Sequence, residues 1–199
     1  MRRIVRQEAP PNFWEKGKAK LHVRSYDDLS DTNAGMELRC QLRQHLIQTQ
    51  SGLCAYCCKK INMENSLNEH IQPKSLYPRL SLDYGNLIAS CAEKTTCGMK
   101  KDNNYDERFV SPLDEACERQ FAFATDGSIY GLTPDGEYTC ELLNLNSLEL
   151  RRARKAVLQN CRSFGNKELV RMYYLNDEDG GLRAYADIII AYCQGYDLD

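Results

Sequence analysis

The chain has 199 residues, 42% hydrophobic and 27% charged, with a formal net charge of −2 and ten cysteines. That length suffices for one ordinary hydrophobic core, and no apolar run approaches the roughly 20 residues of a bilayer span. The opening MRRIVRQEAPPNFWEKGKAK carries basic residues without the apolar stretch of a secretory signal, so a cytoplasmic protein away from membranes is expected, with cysteines serving as metal ligands or buried thiols rather than disulfides.

Charge is unevenly spread. Residues 1–24 and 149–171 each hold seven basic and two acidic side chains, whereas residues 177–199 hold six acids and one arginine. Two basic patches on a nearly neutral surface are therefore expected.

In chain order, residues 1–33 read as irregular, because the prolines of APPNF restrict the residues before them and DDLSDTNAG is turn-rich. Met36 to about Gln50 reads as a helix with Leu38, Leu42, Leu46 and Ile47 on one face, stopped by Gly52. His45 lies in its last turn, where a histidine ordinarily sits beside the helix dipole. After the cysteine-rich stretch comes a polar passage. FAFATDGSIYGLTPDGEYTCELL then reads as short strands joined by Asp-Gly turns. Ser147 is a plausible cap for a helix with Leu148, Ala153, Val157 and Cys161 in its stripe, and a final helix is expected from near Leu182.

Half of the cysteines fall between residues 54 and 103. Cys54 and Cys57 form a C-x-x-C pair; Cys91 and Cys97 form a looser one. Two short-range thiolate pairs can close a tetrahedral zinc site with no open position, hence a structural one, with Cys58 as competitor for the place of Cys57. The block looks poor in large apolar residues, so Zn²⁺ is expected to contribute much of its folding free energy. Cys40, Cys117, Cys140, Cys161 and Cys193 are scattered through apolar patterns and read as core filler.

Between the pairs lie Glu69 and His70, adjacent on a probable strand and so pointing to opposite faces; a twist or bulge near Pro73 is needed to bring both to one ion. Asn86 follows in YGNLIAS, and GMKKDN follows the last cysteine.

The ordered set C-x-x-C, Glu-His before proline, Asn-Leu, a second cysteine pair and lysine resembles the HNH endonucleases, the ββα-metal nucleases, in their cysteine-framed form. That resemblance implies a hairpin and short helix clamped by structural zinc, with a second divalent ion, Mg²⁺ or Mn²⁺, at the scissile phosphate. It implies His70 as general base, Glu69 as a ligand of the catalytic ion, and Asn86 either as an oxygen ligand or as the amide that pins the loop carrying His70. Gly98 departs from the pattern, since His or Asn often stands there. Either Asp102 or Asn103 then supplies a late oxygen, or the ion is held by Glu69, Asn86, water and substrate. Lys74, Lys100 and Lys101 are expected to meet backbone phosphates.

The phrases MRRIVRQEAPPNFW, EHIQPKS, DYGNLIASC and ELLNLNSLELRRARKAVL further resemble the HNH proteins of retron and Septu anti-phage systems, the PtuB type. This implies a nuclease effector of phage defence, acting on DNA more than RNA, under a PtuA-type partner ATPase related to SMC and ABC ATPases. The fold expected is α+β, with a zinc-framed ββα-metal core embedded in a mainly helical domain with a small β-hairpin. It divides into a basic arm and helix (1–50), the nuclease core (51–105) and a C-terminal hairpin and helical region (106–199). The rival from another class is a zinc-framed binding module for nucleic acid or protein, without catalysis.

Overall fold

The computed structural model describes residues 1–178 and 180–195. The N-terminal segment is less irregular than the prolines suggest. Pro11 sits extended (ψ 141°) and α1 (Asn12–Leu21) starts directly behind it, because a proline needs no N–H where a helix begins. Trp14, fully buried, anchors α1 by donating its indole N–H to the Leu82 carbonyl at 3.2 Å.

Helix α2 (Asn33–Thr49) begins where the Thr32 hydroxyl accepts the Gly35 N–H, a cap worth about 1 kcal/mol. Leu38, Leu42 and Leu46 form its buried face. Gly35 lies inside the helix because a Cβ there would stand 2.4 Å from the Leu29 carbonyl oxygen. Close packing, not a turn, explains that glycine.

Strand β1 (Ser66–His70) pairs antiparallel with β2 (Leu87–Cys91), with Glu69 opposite Ile88 and His70 opposite Leu87. The one-turn helix α3 (Cys97–Lys101) follows, completing a ββα unit. Tyr56, Ile61, Ile71, Tyr84, Leu87 and Ile88 from this block enter the main buried cluster beside Trp14, Leu42, Leu143, Leu158 and Ile188. The block is thus richer in core than its sequence suggests, and one apolar cluster joins all three segments of the chain.

Strands β3 (Phe121–Phe123) and β4 (Ile129–Gly131) form a second hairpin. The expected strand after it is instead α4 (Pro134–Leu142), capped by the Thr133 hydroxyl with proline in its first turn. Helix α5 (Leu148–Ser163) has the predicted Ser147 cap, but its buried face is Leu150, Arg154, Leu158 and Cys161, and Leu148 is exposed. The stripe is rotated because Arg154 goes inward, donating to the Gly127 and Leu145 carbonyls. A short α6 (Lys167–Leu169) runs into a wider turn, Val170–Tyr174, and α7 (Ala186–Gln194) closes the described chain, starting later than Leu182. The structure is α+β, with seven helices and two small hairpins among the described residues. None of these helices is long and apolar enough to cross a membrane. Of the acidic stretch 177–199, Asp179 and residues 196–199 lie outside the described residues.

Candidate active site and zinc centre

The first cysteine pair sits in a tight turn, where Cys58 N–H donates to the Cys54 carbonyl and Cys54 N–H to the Lys59 carbonyl. Cys91 ends β2 and Cys97 opens α3. Their sulfurs meet: the Sγ atoms of Cys54, Cys57, Cys91 and Cys97 all lie within 4.8 Å of one another, and all four residues are buried. Cys57 and Cys91 Sγ are 3.9 Å apart, close to the about 3.8 Å edge of a tetrahedron with Zn–S bonds of about 2.3 Å. The backbone N–H of Cys91 points at Cys54 Sγ from 3.3 Å, and Ser90 Oγ lies 3.8 Å away. The quartet fits zinc in a closed, structural role. Cys58 is excluded from it: its side chain turns away to pack with Leu53 and Ala186. Of the scattered cysteines, Cys117, Cys140 and Cys161 are buried and the half-buried Cys193 packs against the cluster of Cys161, Val170 and Ile189, whereas Cys40 is exposed and is not core filler.

His70, at the end of β1, packs edge-on against the Tyr26 ring with centroids 4.7 Å apart. Its Nε2 lies 2.9 Å from the Ser81 carbonyl oxygen. A carbonyl only accepts, so Nε2 carries the proton and Nδ1 keeps its lone pair. Burial pushes the imidazole below the usual histidine range; the Ser81 carbonyl opposes this, and Lys74 and Lys101 add to it. Burial thus favours the neutral ring, and the Ser81 carbonyl fixes its tautomer.

Glu69 faces the other side of the strand. Its Oε1 accepts from Tyr56 Oη at 3.2 Å and from Lys101 Nζ at 3.0 Å. Burial pushes its carboxyl up from the ordinary range, while Lys101 and Tyr56 pull it down. Lys101 also donates to the His70 carbonyl at 3.0 Å and is 1% exposed. It therefore meets no phosphate, contrary to expectation.

Asn86 is fully committed to backbone. Its Oδ1 accepts from Gln72 N–H, and its Nδ2 donates to the Gln72 and Leu80 carbonyls. Of the two roles open for it, the geometry is that of the loop pin, holding the 71–86 loop whose Ser81 carbonyl orients His70. Asp102 is exposed, in a left-handed φ of 48° past the end of α3, and Asn103 accepts from Ser75. Glu69, Asn86 and Asp102 thus do not fit a divalent ion held between them. Among the described residues, the four cysteines are the one gathering of three or more His, Cys, Asp or Glu ligand atoms. Glu69 and His70 stay apart: β1 keeps an unbroken register with β2 through His70, Glu69 opposite Ile88 and His70 opposite Leu87.

Lys74 pairs with Asp27 and lies over the Tyr26 ring, 5.9 Å from its centroid; Arg39 flanks the same ring at 5.0 Å. Lys100 is exposed. The basic patches are partly structural: Arg6 donates to the Tyr84 and Leu87 carbonyls, while Lys16, Lys20, Arg152, Lys155 and Lys167 are exposed. His45 Nε2 lies 3.0 Å from the Tyr84 hydroxyl, a packing role. Nothing in the local sequence pattern sets Tyr26, Tyr56 or Arg39 apart, and the Ser81 contact to His70 comes from backbone.

No protein-family model matches the chain. Over 135 residues it is 33% identical to a retron Vc95 protein of Vibrio cholerae serotype O1 biovar El Tor, itself assigned provisionally as an HNH endonuclease; the match takes in 59% of this chain and 63% of that relative's length. The chain is thus similar, over more than half its length, to a retron protein provisionally assigned as an HNH endonuclease, and spans a little under two thirds of that relative.

Proposed function

We propose that the chain is a nuclease that hydrolyses phosphodiester bonds in nucleic acid, DNA in preference to RNA. We further propose that it is the effector of a retron-type anti-phage system under an ATPase related to the SMC and ABC families. The observation that carries the reaction is the lock between His70 Nε2 and the Ser81 carbonyl. It leaves Nδ1 as a neutral acceptor, suited to take a proton from water as the water oxygen attacks phosphorus. Lys74 and Arg39, around Tyr26 beside His70, are cations placed to position a phosphate backbone without reading bases. The retron name of the relative supports the defence role, and the ATPase rests on the resemblance alone.

The experiment compares wild type with His70→Ala at matched zinc content, on labelled DNA and RNA, with and without Mg²⁺ or Mn²⁺, and with the ATPase present. Cleavage by wild type that His70→Ala loses is the expected result. Equal cleavage by both, or none by either in every arm, defeats the reading.

A second reading, a zinc-framed binding module without catalysis, is favoured by the engagement of Glu69 with Lys101. It predicts salt-sensitive nucleic-acid binding that His70→Ala leaves unchanged.

A further inference from the structure

The carboxylate of Glu69 already has a cation. Lys101 Nζ and Tyr56 Oη both hold its Oε1, and the same ammonium reaches the His70 carbonyl. The other oxygen, Oε2, lies against the α carbon of Gly98: a Cβ built there would stand 2.6 Å from Oε2 and 2.7 Å from Cδ. Any side chain at position 98 would have to expel Glu69 from this seat. A glycine at 98 and a buried lysine at 101 are two halves of one arrangement.

We infer that the ammonium of Lys101 is the resident cation of this site, so that Glu69 ties α3 to the end of β1 and does not ligate a divalent metal. A metal ion bonded to Oε1 would have to share that oxygen with the ammonium at 3.0 Å, like charge against like in a buried setting where screening is weak. Displacing the lysine would leave it buried without a counter-charge, the costly half of a broken pair. Gly98 offers no replacement ligand, and both ends of the Asn86 amide are engaged. The pairing concerns the cation beside Glu69 and not the proton acceptor at His70, on the other face of β1.

The test uses zinc-loaded protein and Mn²⁺ alone as probe. Free Mn²⁺ is counted by electron paramagnetic resonance for wild type and Glu69→Gln. The expected result is the same apparent affinity for both within twofold; a tenfold or greater loss in Glu69→Gln overturns the inference. Wild-type protein alone provides a second measurement that needs no variant to fold. At substoichiometric Mn²⁺, the backbone amide resonances of Glu69, His70 and Gly98 should broaden no more than those of α1, and selective broadening of that set overturns it. Cleavage that depends on His70 together with Mn²⁺ on Glu69 sinks the inference and spares the nuclease. Cleavage indifferent to His70 with no Mn²⁺ on Glu69 does the reverse.

Discussion

The two faces of β1 at its last two residues are built on opposite terms. On one face Glu69 is closed in by a lysine and a tyrosine, each within hydrogen-bond reach, and its second oxygen packs against Gly98 of α3. On the other His70 is fixed at Nε2 alone, by a backbone carbonyl, and keeps its second nitrogen for use. Strand alternation separates the two side chains, and the difference teaches that an acidic-His pair in sequence need not be a single catalytic unit. One member is bound up with a lysine and a tyrosine, and the other meets a backbone carbonyl through Nε2.

The bluntest way to break that division is to remove the zinc. Both faces depend on Cys91 at the end of β2 and Cys97 at the start of α3, so chelation should unfold the ββα unit whole, with a loss on the order of 10 kcal/mol. Far-UV circular dichroism during titration with a chelator checks it, and retained structure in metal-free protein would count against a structural ion. Next comes His70→Ala, expected to lower cleavage about 10²–10⁴-fold while zinc content and fold stay as they are. On the opposite face, Lys101→Met strands a buried carboxylate. The expected loss is roughly 3–5 kcal/mol in denaturant unfolding, partly recovered when Glu69→Gln is added, because the unpaired charge is then gone. If the two losses simply add, Glu69 and Lys101 are not partners. Smaller still, Asn86→Ala should cost about 1–3 kcal/mol for backbone groups left unsatisfied. It should also lower cleavage, because the Leu80 carbonyl it holds adjoins the Ser81 carbonyl that orients His70.

Local pattern made the frame legible. Leucines at helical spacing marked α2, and the two cysteine pairs marked the sulfur quartet before any geometry. Strand periodicity separated Glu69 from His70. What escaped was set by distant partners. Lys101 looks like a solvated lysine in GMKKDN, and only the fold brings Glu69 and the His70 carbonyl to it. Arg154 interrupts an apolar stripe yet is buried, because loop carbonyls from residues 127 and 145 meet its guanidinium. The Asp-Gly in TPDGE suggested a turn, whereas Thr133 and Pro134 start a helix. Ser81 serves through its backbone, which carries no residue-type signal.

The finest distinction between the faces is in pH. His70 sits below its ordinary value of 6.5, chiefly through burial, with Lys74 and Lys101 pushing it lower and Asp27 raising it. The unfolded chain therefore binds the proton more readily than the native one, so native stability falls as pH drops from about 6.5 through the folded-state value. Cleavage that needs the neutral ring should fail over the same window, with an acid limb centred below 6.5. Lys74→Met removes one depressing charge and leaves Asp27 without its lysine partner; both changes act upward. The acid limb should then move toward the ordinary histidine range, while the Glu69–Lys101 coupling measured by unfolding stays the same, because Lys74 lies on the His70 face. A limb that does not move in Lys74→Met would mean that some other group sets the profile.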